Sequence, residues 1–246
     1  MYSNYGATSE SIESARLADA ELGSYSAFTD KAVRLGFIRK VLGIVTIQLI
    51  ITILIGTVFF LSDDVREFTY YNSWMIWLAL IVSFASLISL TCCNISRSFP
   101  GNLICLTLFT LAQAITIGFY SSFAHGDILF AAVLLTTVLV VALIAFACQT
   151  RIDFTVATGI VYLCTIALLL FGLACIIFPN KITLLIYASL GALLFSFWLV
   201  IDIQMILGRN SVYQFSPEDY ILASIIIYQD IINIFINILD ILTHSL

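Results

Sequence analysis

The chain predicts an all-α membrane protein, a bundle of seven transmembrane helices, and three observations lead there. Hydrophobic residues make up 61% of the 246 and charged residues only 10%, against roughly 45–50% and about 25% in ordinary soluble domains. The apolar residues are gathered into seven continuous runs rather than alternating along strands, which argues for helices and against a β-barrel. The interiors of the first five runs hold no charged residue, and the few charges inside runs lie in the last two. Ten Lys and Arg against fifteen Asp and Glu leave a net charge of −5. The chain therefore lacks the basic footprint of a nucleic-acid binder.

Residues 1–36 are expected to be a flexible cytosolic tail, polar and without a helical apolar stripe, and residues 37–246 the transmembrane domain. The runs fall near 38–61, 74–92, 102–123, 128–148, 155–178, 183–207 and 219–242. Each is long enough to cross a ~30 Å hydrocarbon core. The first starts too late and runs too long for a cleaved signal, so it is expected to be the targeting signal itself. Summed on alternate sides, eight basic residues, Arg97, Arg151 and Arg209 among them, lie on the side of the tail. Only Arg66 and Lys181 lie opposite. That asymmetry places the N-terminus in the cytosol. A re-entrant last helix is the alternative to a full seventh span.

The six cysteines lie in or at the ends of the runs and read as small packing residues. Cys92-Cys93 is a weak palmitoylation candidate. Gln48 and Gln113 read as helix–helix hydrogen bonds, and Ala188 and Ala192 beside Gly191 as a small-residue packing face. Two histidines and no nucleophile motif leave little for an enzyme to work with.

Charges inside spans are costly and tend to be kept for function. Asp202 lies in the sixth run, Asp230 and Asp240 in the seventh. Asp230, Asn233, Asn237 and Asp240 fall at spacings of three, four and three, a polar stripe down one helix face. Such a stripe faces the bundle interior. Interhelical hydrogen bonding is the competing explanation for the two asparagines. Ser216, Pro217 and Asp219 read as a capping box that starts the last helix near residue 217. Asp230 then lies about 20 Å along that helix, and Asp202 about 9 Å before the sixth helix ends. With tilt, the two carboxylates are expected to meet in the cytosolic half of the bundle. Two carboxylates in low dielectric share a proton, recruit a base, or bind a hard cation. Arg97 and Arg209 are the candidate basic latch. Asp202 and Asp230 are the candidate pH sensor and ion site, with Asn233, Asn237 and Asp240 in support. Calcium suits such oxygen ligands as a weakly bound or transported ion, with no tightly held cofactor.

Several motifs resemble the Bax-inhibitor (Lifeguard, TMBIM) family. They are Lys31 to Val41 with Thr46 to Gln48, Phe99-Pro100-Gly101-Asn102, and Gln149 to Thr155. The fullest match runs from Leu185 to Leu239 and takes in Asp202-Ile203-Gln204, Leu207-Gly208, Ser216 to Tyr220 and Asp230 to Asn233. The likeness extends over residues 30–242 and leans to the Lifeguard branch. It implies a seven-helix fold with the last helix central. It also implies a pH-sensitive calcium leak across an intracellular membrane, endoplasmic reticulum or Golgi, and inhibition of apoptosis. The family's paired aspartates fall on Asp202 and Asp230. Two positions depart from the pattern: the second span has no charge, and the third has Gln113 and no acidic residue. The expected partners are the lipid bilayer, calcium, protons and apoptosis-regulating membrane proteins. The rival functions are an interaction protein working through its tail, with any leak incidental, and a proton-coupled transporter.

Overall fold

The computed structural model describes residues 9–92, 98–208, 215, 216 and 218–245, with side chains from residue 32 onward apart from that of Cys92. Eight α-helices account for nearly all of it. They are α1 (Ser9–Leu61), α2 (Asp63–Tyr71), α3 (Trp74–Cys92), α4 (Gly101–Phe123), α5 (Gly126–Gln149), α6 (Thr158–Ile177), α7 (Lys181–Leu207) and α8 (Tyr220–Ser245). A 3-10 turn, Phe154–Ala157, leads into α6. Seven of these helices are long and apolar enough to cross a membrane. Only helices or closed barrels satisfy every backbone polar group in lipid, which explains the near-absence of anything else.

The expected runs and the observed helices agree within a few residues, with three differences. First, α1 extends back to Ser9, through a segment expected to be a flexible tail. That segment is rich in Ala, Glu and Leu, good helix formers even without an apolar stripe. Second, α2 is an additional short helix. Ser62 caps it, its Oγ accepting from the Val65 N–H at 3.4 Å, and Asp63 and Asp64 occupy its first turn. Its aromatics Phe68, Tyr70 and Tyr71, with Trp74 beyond, are exposed, as expected for residues at a membrane–water boundary. Third, α8 starts at Tyr220 rather than 217. The Ser216 carbonyl accepts from Asp219 N–H at 2.9 Å in a turn, and the helical ladder opens with Ala223 N–H to the Asp219 carbonyl at 2.9 Å. From there α8 is an unbroken 26-residue helix, about 39 Å long and long and apolar enough to cross a membrane as a full seventh span.

α8 is the hub. It packs on α7, α1, α5 and α4, while α3 is held chiefly by α4, and α6 by α7 and the 3-10 turn. Tyr228, Ile225 and Ile234 of α8, Leu199 of α7, Phe109 of α4 and Val41 of α1 are buried at the centre. The outer faces carry exposed Leu, Ile and Phe, the surface that lipid requires. The chain turns are specified locally. Asn180 caps α7 through its Oδ1 and the Ile182 N–H, 3.2 Å. Gly208 ends α7 at φ +63, a conformation that glycine adopts without a Cβ penalty.

Candidate functional site

α8 sends polar side chains toward α1, α4 and α7. Tyr228 meets Thr52 of α1 hydroxyl to hydroxyl at 2.7 Å. Ser224 Oγ donates to the Tyr220 carbonyl of its own helix at 2.6 Å and lies 3.4 Å from the Val41 carbonyl of α1. Gln229 Oε1 accepts from Gln113 Nε2 of α4 at 2.6 Å. Toward α7 it presents Asp230. Gln48 in turn donates to Thr110 of α4 at 2.9 Å. The helix–helix role expected for Gln48 and Gln113 is therefore what the structure has.

Asp202 and Asp230 come together. Both are buried, at 2% and 6% exposure, and their carboxyl groups are near enough to interact directly. Asp202 stands five residues before α7 ends and Asp230 ten residues after α8 begins. These offsets correspond to about 8 Å and 15 Å of helix, so the later start of α8 removes part of the mismatch that the sequence left. The pair sits toward the bundle end that carries the α7–α8 connection. The Oδ2 of each carboxylate is buried without a hydrogen-bond partner. Two buried carboxylate oxygens at one seam, with no ion pair to a basic side chain among the described residues, invite a proton or a cation. Among the described residues no cluster of three or more His, Cys, Asp or Glu surrounds a metal-sized site.

The rest of the stripe divides. Asn237 is buried and its Nδ2 donates to the Asn233 carbonyl on its own helix at 2.7 Å, not across to another helix. Its amide lies flat on Gly191 of α7. A Cβ at 191 would fall within overlap distance of the Asn237 Oδ1. Close approach, more than hydrogen bonding, is what Asn237 and the small residues of α7 provide to each other. Ala188 is buried on this face as expected. Asn233 is half-buried on the same face. Asp240 is three turns from the dyad and lies by Tyr120 and Tyr187 instead. Its backbone carbonyl is 2.8 Å from His244 Nδ1. It does not join the pair.

The candidate latch residues Arg97 and Arg209 lie outside the described residues, as do Cys93 and Pro217. The structure brings in a basic residue that the sequence reading passed over. Arg34 of α1 reaches under the end of α7 and donates to the Met205 carbonyl at 2.5 Å and the Phe215 carbonyl at 2.9 Å. Met205 is three residues past Asp202. A Cβ on Gly208 would meet the Arg34 guanidinium, and the positive φ of Gly208 is what calls for glycine there. A cation at a helix C-terminus also meets the negative end of the macrodipole. The sequence signal was present: Arg34 sits at the mouth of a long apolar run whose partner helix ends in Leu207-Gly208.

Gln204 forms a second clamp. Its Oε1 accepts from the Phe154 N–H at 2.8 Å and its Nε2 donates to the Ile152 carbonyl at 2.9 Å. Asp153 shapes the same loop by accepting from the Thr155 N–H at 3.0 Å and hydroxyl at 2.5 Å. The Gln149–Thr155 motif is thus a built turn docked on α7, two residues from Asp202. Of the described cysteines, Cys175 is buried, Cys105 half-buried, and Cys148 and Cys164 exposed. Packing describes the first two, while the latter two face outward.

Residues 34–245 match the family described as "Inhibitor of apoptosis-promoting Bax1". Human "Protein lifeguard 3" is 36% identical over 218 residues, which cover 87% of this chain and 70% of the relative. The mouse protein of the same name is 35% identical over 216 residues, 86% and 70% of the two chains. "Bax inhibitor 1" of Schizosaccharomyces pombe is 34% identical over 213 residues, 86% and 77%. Arg34, Asp202 and Asp230 all fall within the matched range.

Proposed function

This chain belongs to the Bax-inhibitor family of apoptosis inhibitors, and from that premise we propose that it is a pH-sensitive calcium leak channel of intracellular membranes. Its effect is to lower stored calcium and so restrain apoptosis. The reading places it in the endoplasmic reticulum or Golgi with its N-terminus in the cytosol, as the distribution of basic residues favours. The observation that carries the proposal is the buried contact between Asp202 and Asp230, with an orphaned oxygen on each.

The mechanism follows from charge. With one shared proton the two carboxyl groups hold α7 and α8 together. Without it, two negative charges repel across the seam and attract a cation. A few kcal/mol of difference between two packings is enough to shift their populations. Protons and calcium thus compete for one site, in which calcium is cargo. Arg34 and Gln204 act on the dyad only by holding the helix end that carries Asp202.

The test is calcium efflux from dye-loaded proteoliposomes, from mildly acidic to mildly alkaline pH, with wild type beside Asp202→Asn and Asp230→Asn. The expected result is a wild-type flux whose pH dependence both variants lose while remaining folded. Folded wild-type protein with no flux at any pH would move the function to partner binding through residues 1–36.

A further inference from the structure

A cavity of about 370 Å³ lies on the other side of α8 from the dyad. Ile53 and Gly56 of α1, Ile117 of α4, Val133 of α5, and Ile232 and Phe235 of α8 form its walls. Helices α1 and α5 each pack on α8, but the two do not form a packed seam with each other. The slot between them opens sideways. Its rim residues Ile53 and Val141 are 61% and 62% exposed, on the surface that the spans turn toward hydrocarbon.

We propose that this groove seats one acyl chain of a membrane phospholipid, drawn from the leaflet on the α2 side. Length is the first argument. On α1 the lining runs from Leu49 to Phe60, about 16 Å at helical rise, which is half of a ~30 Å hydrocarbon core. It begins at the α2 end of the bundle, beside Phe60 and Leu129, and ends level with Ile231 near the middle of α8. That is the depth of one leaflet's tails. Chemistry is the second argument. Thr52 is bonded to Tyr228, and Thr57 and Thr137 donate back to the Ile53 and Val133 carbonyls at 2.7 Å. No charged residue lines the groove. A polar ligand would lose its water there without recompense, whereas a tail already in hydrocarbon loses nothing on entry. The inference is independent of the ion pathway and stands or falls apart from it.

One lining hydroxyl, Thr136 Oγ1, is buried without a partner, and it separates an acyl chain from a ligand carrying oxygen. The experiment uses the full chain in nanodiscs of phosphatidylcholine bearing a diazirine near the tail end, with adducts mapped by mass spectrometry. Wild type should concentrate adducts on the groove peptides of α1 and α5 over those of α6. A Cβ at Gly56 would meet Ile117 Cγ2 and Ser121 Oγ at an ordinary 3.9 Å. Gly56→Leu should therefore fill the groove and cut its adducts about tenfold. Val133→Trp, from the α5 wall, should do the same if Gly56→Leu folds poorly. Gly159→Leu, with open space around it, should change nothing. Thr136→Val keeps the shape and should leave labelling intact. Equal labelling of groove and α6, or labelling unaffected by both filling variants, would reduce the groove to ordinary boundary lipid and overturn the proposal. Loss of labelling in Thr136→Val would overturn it as well, in favour of an oxygen-bearing ligand.

Discussion

Helices α6 and α8 are close in length and opposite in character. Across α6 only 6% of the spanning stretch is buried, and across α8 67%. α6 carries no charged residue and is mostly apolar, yet it lies at the rim, touching α7 and showing Leu163, Leu169 and Leu173 to the outside. α8 carries Ser224, Tyr228, Gln229, Asp230, Asn237 and Asp240, and it sits at the centre. In water the greasier helix would be the buried one. In lipid, burying apolar surface gains little because the tails are as apolar as leucine. Polar groups have no partner in hydrocarbon, so they decide which helix goes inside.

The contrast is testable by paired substitutions. The largest effect is expected for Tyr228→Ala, which empties the most deeply buried aromatic position and removes the bond to Thr52. A loss of about 3–5 kcal/mol is expected, against a negligible change for Leu169→Ala on α6, read by unfolding in detergent. Equal losses would mean that α8 is not the hub. Next is Arg34→Gln, which removes charged donors from two carbonyls at the α7–α8 connection. About 1.5–3 kcal/mol is the upper range, because the side chain is only partly buried. Faster hydrogen exchange at the ends of α7 and α8 should accompany it, with α6 unchanged. A comparable loss is expected for Gly191→Leu, which collides with Asn237, about 1–3 kcal/mol. Gly159→Leu on α6, in open space, should be silent, and a thermal shift assay separates the two. The smallest effect belongs to Gln113→Leu. It removes one interhelical bond to Gln229, worth about 0.6 kcal/mol, and a deficit several times larger would show that the α4–α8 bond is coupled to the dyad.

Much of this was legible in one dimension. The seven runs, the contact of Asp202 with Asp230, and the bonding roles of Gln48 and Gln113 all follow from the cost of polar groups in lipid. α2 was missed because nine residues of mixed polarity make no run, although Ser62 and the two aspartates after it marked its start. The helical run-back of α1 was missed because the reading relied on apolar periodicity and not on propensity. Asp240 was grouped with the dyad because helical spacing puts residues on one face without saying which neighbour that face meets along its length.

The sequence alone determined that the chain is a helical membrane protein, where its spans fall, and that its polar residues belong inside. These are transfer energies, and they are summed residue by residue. Only the tertiary structure decided that Arg34 clamps the end of α7, that Asn237 lies on Gly191, and that a groove stays open between α1 and α5. Those depend on the register and tilt of helices far apart in the chain. Packing sets them, and no local pattern encodes it.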